Sequence, residues 1–306
     1  MLYKYLLEWL KEHNIYFLHL NRRKLRSYLN PFQSVLLEIL LNDYRIDFKK
    51  EGGIPLYKEG EFYLLNRKGP YYSDAILSKQ GVKPELNLPK YPLFIIDLRY
   101  YNRHTEKEKR RIIKEILASL IEVRKYLWDR HLALVANREL FNFISHKLGN
   151  NKILRLDYPL NGIALDPNAD EILTEKDIKE NNIFLIGGIV DLGQNRPWTK
   201  ELFKEFPRKR IEFYGKTKGV PDRFNRIISI LLKVKFENKT IEEAIKENLT
   251  RKDILERLSI ELPKRWVKLD NKFVLPKKEY EELNKMFGRD IKPYLKVFKV
   301  EVIEKQ

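Results

Sequence analysis

Residues 183–191 read IFLIGGIVD, and the interpretation of the fold starts from this stretch. Four consecutive apolar residues, 183–186, suit a strand covered on both faces, the kind found in parallel sheets. They run into Gly187 and Gly188, two more apolar residues and then a single carboxylate, Asp191. Glycine at a strand end permits either a positive φ or close approach of another group to the backbone. In open α/β sheets the ligand crevice lies outside the carboxyl ends of the strands. A ligand site at Gly187, Gly188 and Asp191 is therefore one reading. A glycine pair closing a buried strand, with an aspartate capping the next turn, is the other.

Working outward, the chain between residues 93 and 235 alternates short apolar runs with helical patterns. Strands are expected at 93–96, ending at Asp97, and at 132–136, 162–165 and 171–173. Thr105 and Glu108 have capping-box spacing, and Ile113, Ile116, Leu117, Leu120 and Leu127 form an expected apolar stripe behind them. Arg99, Arg103, Lys107, Lys109, Arg110, Arg111 and Lys114 make this region the best candidate for tracking phosphates, with a solvated helix face as the alternative. Beyond Asp191 a helix is expected around 198–206 and a last strand at 210–214. A second glycine loop, 215–222, then enters a helix with Asp222 as its expected N-cap and Phe224, Ile227, Ile228, Leu231 and Leu232 facing the core. Buried strands separated by helices predict an α/β fold with a parallel or mostly parallel sheet. Neither a Walker-A loop nor a GxGxxG fingerprint occurs.

Two flanking units are expected. Residues 1–88 read as a small α+β domain: an opening amphipathic helix, a strand at 15–20, the basic cluster Arg22, Arg23, Lys24 and Arg26, a second helix, and a hairpin around Gly60. Three prolines in 81–92 mark the boundary to the central domain, 89–238. Residues 239–306 read as mainly helical. Thr240/Glu243 and Thr250/Asp253 mark two helix starts, 266–275 a hairpin, and 277–287 a helix stopped by Gly288, an order that suggests a winged-helix-like module.

The 306 residues include 60 Lys+Arg against 43 Asp+Glu, a net charge of +17. That excess points to a polyanionic partner, nucleic acid first. The 34% of charged residues, two Met and no Cys also fit a thermophile's composition, which accounts for many charges but not for their imbalance. Lack of cysteine excludes disulfides, thiolate-ligated zinc and thiol catalysis. His13, His19, His104, His131 and His146 lack metal-ligand spacing and read as surface or core residues, so no metal is expected. No apolar run approaches the roughly 18 residues of a membrane span, and a cytoplasmic location is expected.

The segments FIIDLRYYNRHTEKEKRRI and FLIGGIVD, with the later strand, glycine loop and Asn225-containing helix, resemble the SPOUT superfamily of methyltransferases. Within it, the chain is similar to the archaeal type of the family that methylates N1 of the purine at the ninth nucleotide of tRNA. The resemblance covers roughly residues 90–235. It implies a C-terminal trefoil knot and S-adenosylmethionine as cofactor, with tRNA as partner and a monomeric enzyme. It also implies cofactor contacts from Leu173 and Thr174, from Ile186, Gly187, Gly188 and Asp191, and from Tyr214, Gly215, Gly219, Val220 and Asn225. Where eukaryotic relatives carry a Leu-Thr-x-Asn pattern this chain has Val220, Pro221, Asp222, Arg223, Phe224 and Asn225, so only Asn225 carries over directly. Asp191 is the implied catalytic residue, Asp97 the second choice, and adenine is favoured over guanine. Arg208 and Lys209, with Arg22 and Arg23, complete the basic residues expected to meet tRNA. A non-catalytic nucleic-acid binder is the rival reading. A metal-dependent nuclease using Asp97, Asp191 and Asp222 is a weaker one, because no DxD or DxE cluster supports it.

Overall fold

A computed structural model describes residues 1–190, 197–269 and 272–303, without the Arg22 side chain. The chain divides into two compact units, one of residues 1–162 and 182–196, the other of residues 163–181 and 197–306.

The first unit holds two groups of strands. Near the N-terminus, five strands lie in the order Arg45–Asp47, Ala75–Ser78, Phe17–His19, Phe62–Tyr72, Gly52–Glu59. The hairpin expected around Gly60 is present and longer than expected, with Gly60 itself at φ 58°. Helices Tyr3–Glu12 and Pro31–Asn42 belong to the same part. The second starts where Asn30 accepts the amides of Phe32 and Gln33, with Pro31 pre-set for the first turn.

The second group is parallel throughout: Ile183–Gly187, Leu93–Asp97, Leu132–Val135 and Leu154–Leu156, in that order. The first three strands are almost wholly buried, as their unbroken apolar runs require. Helix Glu106–Arg124 begins in the expected Thr105/Glu108 capping box. Its buried stripe is Ile112, Ile116, Leu120 and Val123, continued by Leu127, so Ile116, Leu120 and Leu127 lie inward as expected, while Ile113 is half-buried and Leu117 is exposed. Glu108 and Glu115 are buried as well, at inward positions that hydropathy assigns to solvent. The buried amide of Gln33 donates to the carbonyls of Arg124 (3.1 Å) and Leu127 (2.7 Å), linking the N-terminal segment to the end of this helix across residues 81–92.

The second unit contains three further parallel strands, Glu171–Ile172, Arg208–Arg210 and Ile163–Leu165, in that order. The last strand expected at 210–214 is thus displaced: Arg208–Arg210 pairs, while residues 213–216 form a turn. Apolar content misled here, because the pairing residues are Arg-Lys-Arg, each neutralised by a neighbouring acid. Helix Phe224–Glu237 has Arg223 as N-cap with no side-chain hydrogen bond. Asp222 does not cap it, and pairs with Lys252 at 2.9 Å. The expected capping boxes at Thr240/Glu243 and Thr250/Asp253 start helices Ile241–Asn248 and Arg251–Glu261. Strands Val267–Leu269 and Lys272–Pro276 form the expected hairpin, whose turn at residues 270 and 271 lies outside the described residues. Helix Lys277–Phe287 ends at Gly288 with φ 65°. A strand not expected from the sequence, Val300–Ile303, pairs in parallel with Lys272–Pro276.

Candidate functional site

In the first unit the parallel register puts Gly187 opposite Asp97, so the strands within both stretches of the resemblance end together at one carboxyl edge. The amide of Gly188 donates to the Asp97 carbonyl at 2.8 Å, extending the pairing by one residue. A Cβ on Gly188 would lie 2.7 Å from that carbonyl oxygen and 2.5 Å from Leu98 Cδ2. The second glycine is therefore required by backbone packing, independently of any ligand. Asp97 is fully buried and receives the Arg99 guanidinium at 3.0 and 2.7 Å, besides the Arg99 amide at 3.0 Å. A carboxylate held in this way is a structural ion-pair partner. Arg99, expected to meet phosphates, also lies 4.7 Å from the centre of the Tyr158 ring.

His104 belongs to the histidines read as surface or core, and it is buried with a specific task. Its Nε2 accepts the Val190 amide at 3.2 Å, so that nitrogen carries no proton. Nδ1 is then the protonated nitrogen and donates toward the carbonyls of Tyr100 (3.1 Å) and Tyr101 (3.3 Å). A neutral imidazole in one tautomer thus ties the segment before helix Glu106–Arg124 to the residue preceding Asp191. Asp191 itself lies outside the described residues. Sequence gave no hint of the His104 link, because its two partners are separated by 86 residues.

In the second unit, Thr174 opens helix Glu175–Glu180 through a reciprocal capping box with Asp177. The Thr174 amide and hydroxyl both donate to Asp177, at 2.9 and 2.8 Å, and the buried Leu173 donates its amide to Arg210 O at 2.8 Å. Burial alone would raise the Asp177 carboxyl, but its hydrogen bonds from Thr174 and Lys209 together hold it below its ordinary value. Lys235 Nζ donates to the carbonyls of Ile178, Lys179 and Asn181 at 2.8–3.0 Å, capping the other end of the same short helix. Burial pushes this ammonium's pKa down.

The second glycine loop, expected at 215–222, begins two residues earlier, in a turn at 213–216. Phe213 and Lys216 exchange backbone hydrogen bonds (2.8 and 3.3 Å) around Tyr214 and Gly215, at φ 47° and 71°. That is the backbone of a tight turn with two left-handed residues. Tyr214 is exposed, and a Cβ on Gly215 would meet no atom within 4 Å. Gly219, at φ 84°, passes so close to helix Arg251–Glu261 that a Cβ would lie 2.6 Å from Arg257 Cβ. Val220 donates to Thr217 O at 3.1 Å, and Asn225 is half-buried in the first turn of helix Phe224–Glu237. With no side-chain cap and no acid in its first turn, that helix start keeps a positive end that suits a carboxylate.

The expected tRNA-facing cations differ in their surroundings. Arg208 bonds Asp166 at 2.8 Å, and Lys209 bonds Asp177 at 3.0 Å and reaches Glu171. Arg111 pairs with Glu115 and Lys109 with Glu106. Arg103 stacks over Tyr100 at 3.7 Å. Lys107, Arg110 and Lys114 are exposed on helix Glu106–Arg124, and Arg23 is exposed beside its 3-10 turn. Among the described residues no group of three or more His, Cys, Asp or Glu could hold a metal ion, and no helix is long and apolar enough to cross a membrane.

A family model described as "Protein arginine N-methyltransferase SFM1-like" matches residues 144–289. The structure resembles the crystal structure of Sulfolobus acidocaldarius Trm10 in complex with S-adenosylhomocysteine, at 25% identity and a TM-score of 0.77, over 97% of both chains. The tRNA (adenine(9)-N1)-methyltransferase of Sulfolobus acidocaldarius is 30% identical over 257 residues, spanning 79% of this chain and 87% of the relative. The chain belongs to the Trm10 family. A second Trm10-type relative is the tRNA (guanine(9)-/adenine(9)-N1)-methyltransferase of Thermococcus kodakarensis, 29% identical over 326 residues, 95% of this chain and 83% of that protein. Membership bears out the resemblance carried by FLIGGIVD. The mixed α/β architecture with parallel strands is that of the Trm10 relative bound to S-adenosylhomocysteine.

Proposed function

We infer that this protein transfers a methyl group from S-adenosylmethionine to N1 of the purine at the ninth nucleotide of tRNA. The observation that carries this is the similarity, over 79% and 95% of this chain, to two enzymes named for that activity, one for adenine and one for both purines. The exposed turn at Tyr214 and Gly215, the uncapped helix start near Asn225 and the shared strand edge at Gly187 support it.

When bound, S-adenosylmethionine would supply a methyl group on a positively charged sulfur, open to in-line attack by a ring nitrogen, with the sulfur–methyl bond breaking and S-adenosylhomocysteine leaving as the neutral thioether. Most of the rate then comes from alignment of that nitrogen with the methyl group. The stretches that hold the cofactor are Leu173 and Thr174, Ile186 to Asp191, and Tyr214, Gly215, Gly219, Val220 and Asn225, within a C-terminal trefoil knot. Asp191 has two roles according to the base. Guanine N1 carries a proton that the carboxylate accepts as the N1–methyl bond forms. Adenine N1 has a free lone pair, so the carboxylate accepts a hydrogen bond from the exocyclic amine and no base is needed. Adenine is the favoured substrate. The target base must leave its place in the folded tRNA to react. Lys107, Arg110, Lys114 and Arg23 meet the sugar-phosphate backbone, with residues 1–88 and 239–306 acting as RNA-contacting and helical, winged-helix-like domains around the methyltransferase domain, 89–238. The enzyme acts as a cytoplasmic monomer.

Calorimetric binding of S-adenosylmethionine separates this reading from a non-catalytic RNA binder, which has no reason to take the cofactor. Asp191→Asn should lower guanine methylation far more than adenine methylation on matched tRNAs; equal losses would remove the base from the mechanism.

A further inference from the structure

Arg257 lies on helix Arg251–Glu261, far along the chain from every stretch assigned to the cofactor, and its side chain is 1% exposed. Its guanidinium donates to the carbonyls of Phe213 (2.6 Å), Tyr214 (3.2 Å) and Lys218 (3.5 Å). These three oxygens belong to both ends of the 213–219 loop. The guanidinium also lies 3.1 Å from the buried carboxylate of Glu261 and 5.6 Å from the centre of the buried Phe213 ring. At its root, the Arg257 Cβ occupies the space that any side chain at Gly219 would need. The loop is thus anchored at one residue from two sides, by hydrogen bonds to its carbonyls and by close contact with its second glycine.

The anchored backbone is not a relaxed one. Tyr214 has φ 47°, a conformation that costs a bulky L-residue free energy and persists only where the surroundings over-determine it. A charged donor to the Tyr214 carbonyl and to its neighbour supplies that constraint. Meanwhile the outer side of the turn is left open, with Tyr214 exposed and nothing beside Gly215. Rigid below and bare above is the arrangement of a preformed ligand loop.

We propose that Arg257 is a positioning residue for S-adenosylmethionine: the C-terminal helical segment sets the conformation of residues 213–219 through this guanidinium, and so sets cofactor affinity. This rests on the reading of residues 214–225 as a cofactor loop. In the test, hydrogen exchange of the full-length wild-type protein is measured with and without S-adenosylhomocysteine. Protection at residues 213–219 is expected; binding without it would overturn the cofactor-loop reading itself. Cofactor affinity is then measured for Arg257→Met paired with Glu261→Gln, which avoids stranding a buried carboxylate, and for Arg257→Lys, which keeps one charge. Loss of a charged hydrogen-bond anchor should weaken binding by at least about tenfold in the double variant, with partial recovery in the lysine variant. The KM for the cofactor should rise by the same factor while kcat at saturation changes less than threefold, and tRNA affinity at matched salt should hold. Unchanged cofactor affinity in either folded variant, with wild-type loop protection intact, would overturn the role of Arg257 alone. If the double variant does not fold, the lysine variant decides: weakened binding supports the proposal and wild-type binding refutes it.

Discussion

Replacing Gly188 by alanine tests whether this glycine serves packing or ligand. The added Cβ would sit 2.7 Å from the Asp97 carbonyl oxygen, and ordinary contact begins at 3.4 Å. Leu98 Cδ2, at 2.5 Å, can move aside by rotation, but the carbonyl belongs to a central strand and already accepts the Gly188 amide. The two backbones must therefore part by about 0.7 Å. Overpacking of this kind costs about 1–3 kcal/mol. Lengthening the Gly188–Asp97 hydrogen bond adds about 1 kcal/mol at most. At about 2–4 °C per kcal/mol for a unit of this size, the melting temperature of the cofactor-free protein should fall by roughly 2–16 °C. Differential scanning calorimetry without ligand is the assay. A glycine needed only for cofactor approach would leave the ligand-free melt untouched and abolish cofactor binding. An unchanged melting temperature would thus refute the packing argument.

The basic residues separate into two groups with different readouts. Lys107→Ala and Lys114→Ala should weaken tRNA binding and each lower the salt slope of log affinity by about one, without changing thermal stability. Arg208→Ala should instead destabilise the fold by on the order of 3 kcal/mol, because it strands the buried Asp166 carboxylate, and should barely alter the salt slope. Fluorescence titrations at several salt concentrations, alongside thermal melts, check both; the reverse pattern would contradict the assignment. The Asp177 carboxyl gives a pH signature. Its folded pKa lies below the ordinary 3.8, so its contribution is complete above 3.8 and is lost as pH falls through the lower folded value. Asp177→Asn should flatten that part of the acid-stability curve and lower stability at neutral pH, where the Lys209 bond is lost.

Features written in adjacent residues were legible in the sequence. The capping boxes at Thr105, Thr240 and Thr250, the hairpin at Gly60 and the helix stop at Gly288 each need only a few neighbours, and all stand where expected. The strand ending at Gly187 was equally readable from its apolar run. Readings failed where a distant partner decided the outcome. Asp222 looks like a helix cap until Lys252 claims it. Arg208–Arg210 looks like surface until Asp166, Asp177 and Glu212 neutralise it within a strand. Of the candidate site, the glycines and Asn225 were visible as residue types. The hold of His104 on Val190 and of Arg257 on residues 213–218 was not, because each joins backbone groups about 40 to 90 residues away in sequence to a side chain with no local signature. Thr174 and Asp177 have the same Thr-x-x-acid spacing, and their capping box too needs only adjacent residues.

The central claim is methylation at one atom of one nucleotide. Incubating the full-length protein and S-adenosylmethionine with tRNA transcripts carrying A, G or a pyrimidine at the ninth nucleotide, followed by nuclease digestion and mass spectrometry, tests it most directly. The account predicts one methyl group on N1 of the ninth purine, with adenine the better substrate and no product from the pyrimidine transcript. Methylation at another nucleotide, or cofactor binding with no transfer to either purine, would contradict it.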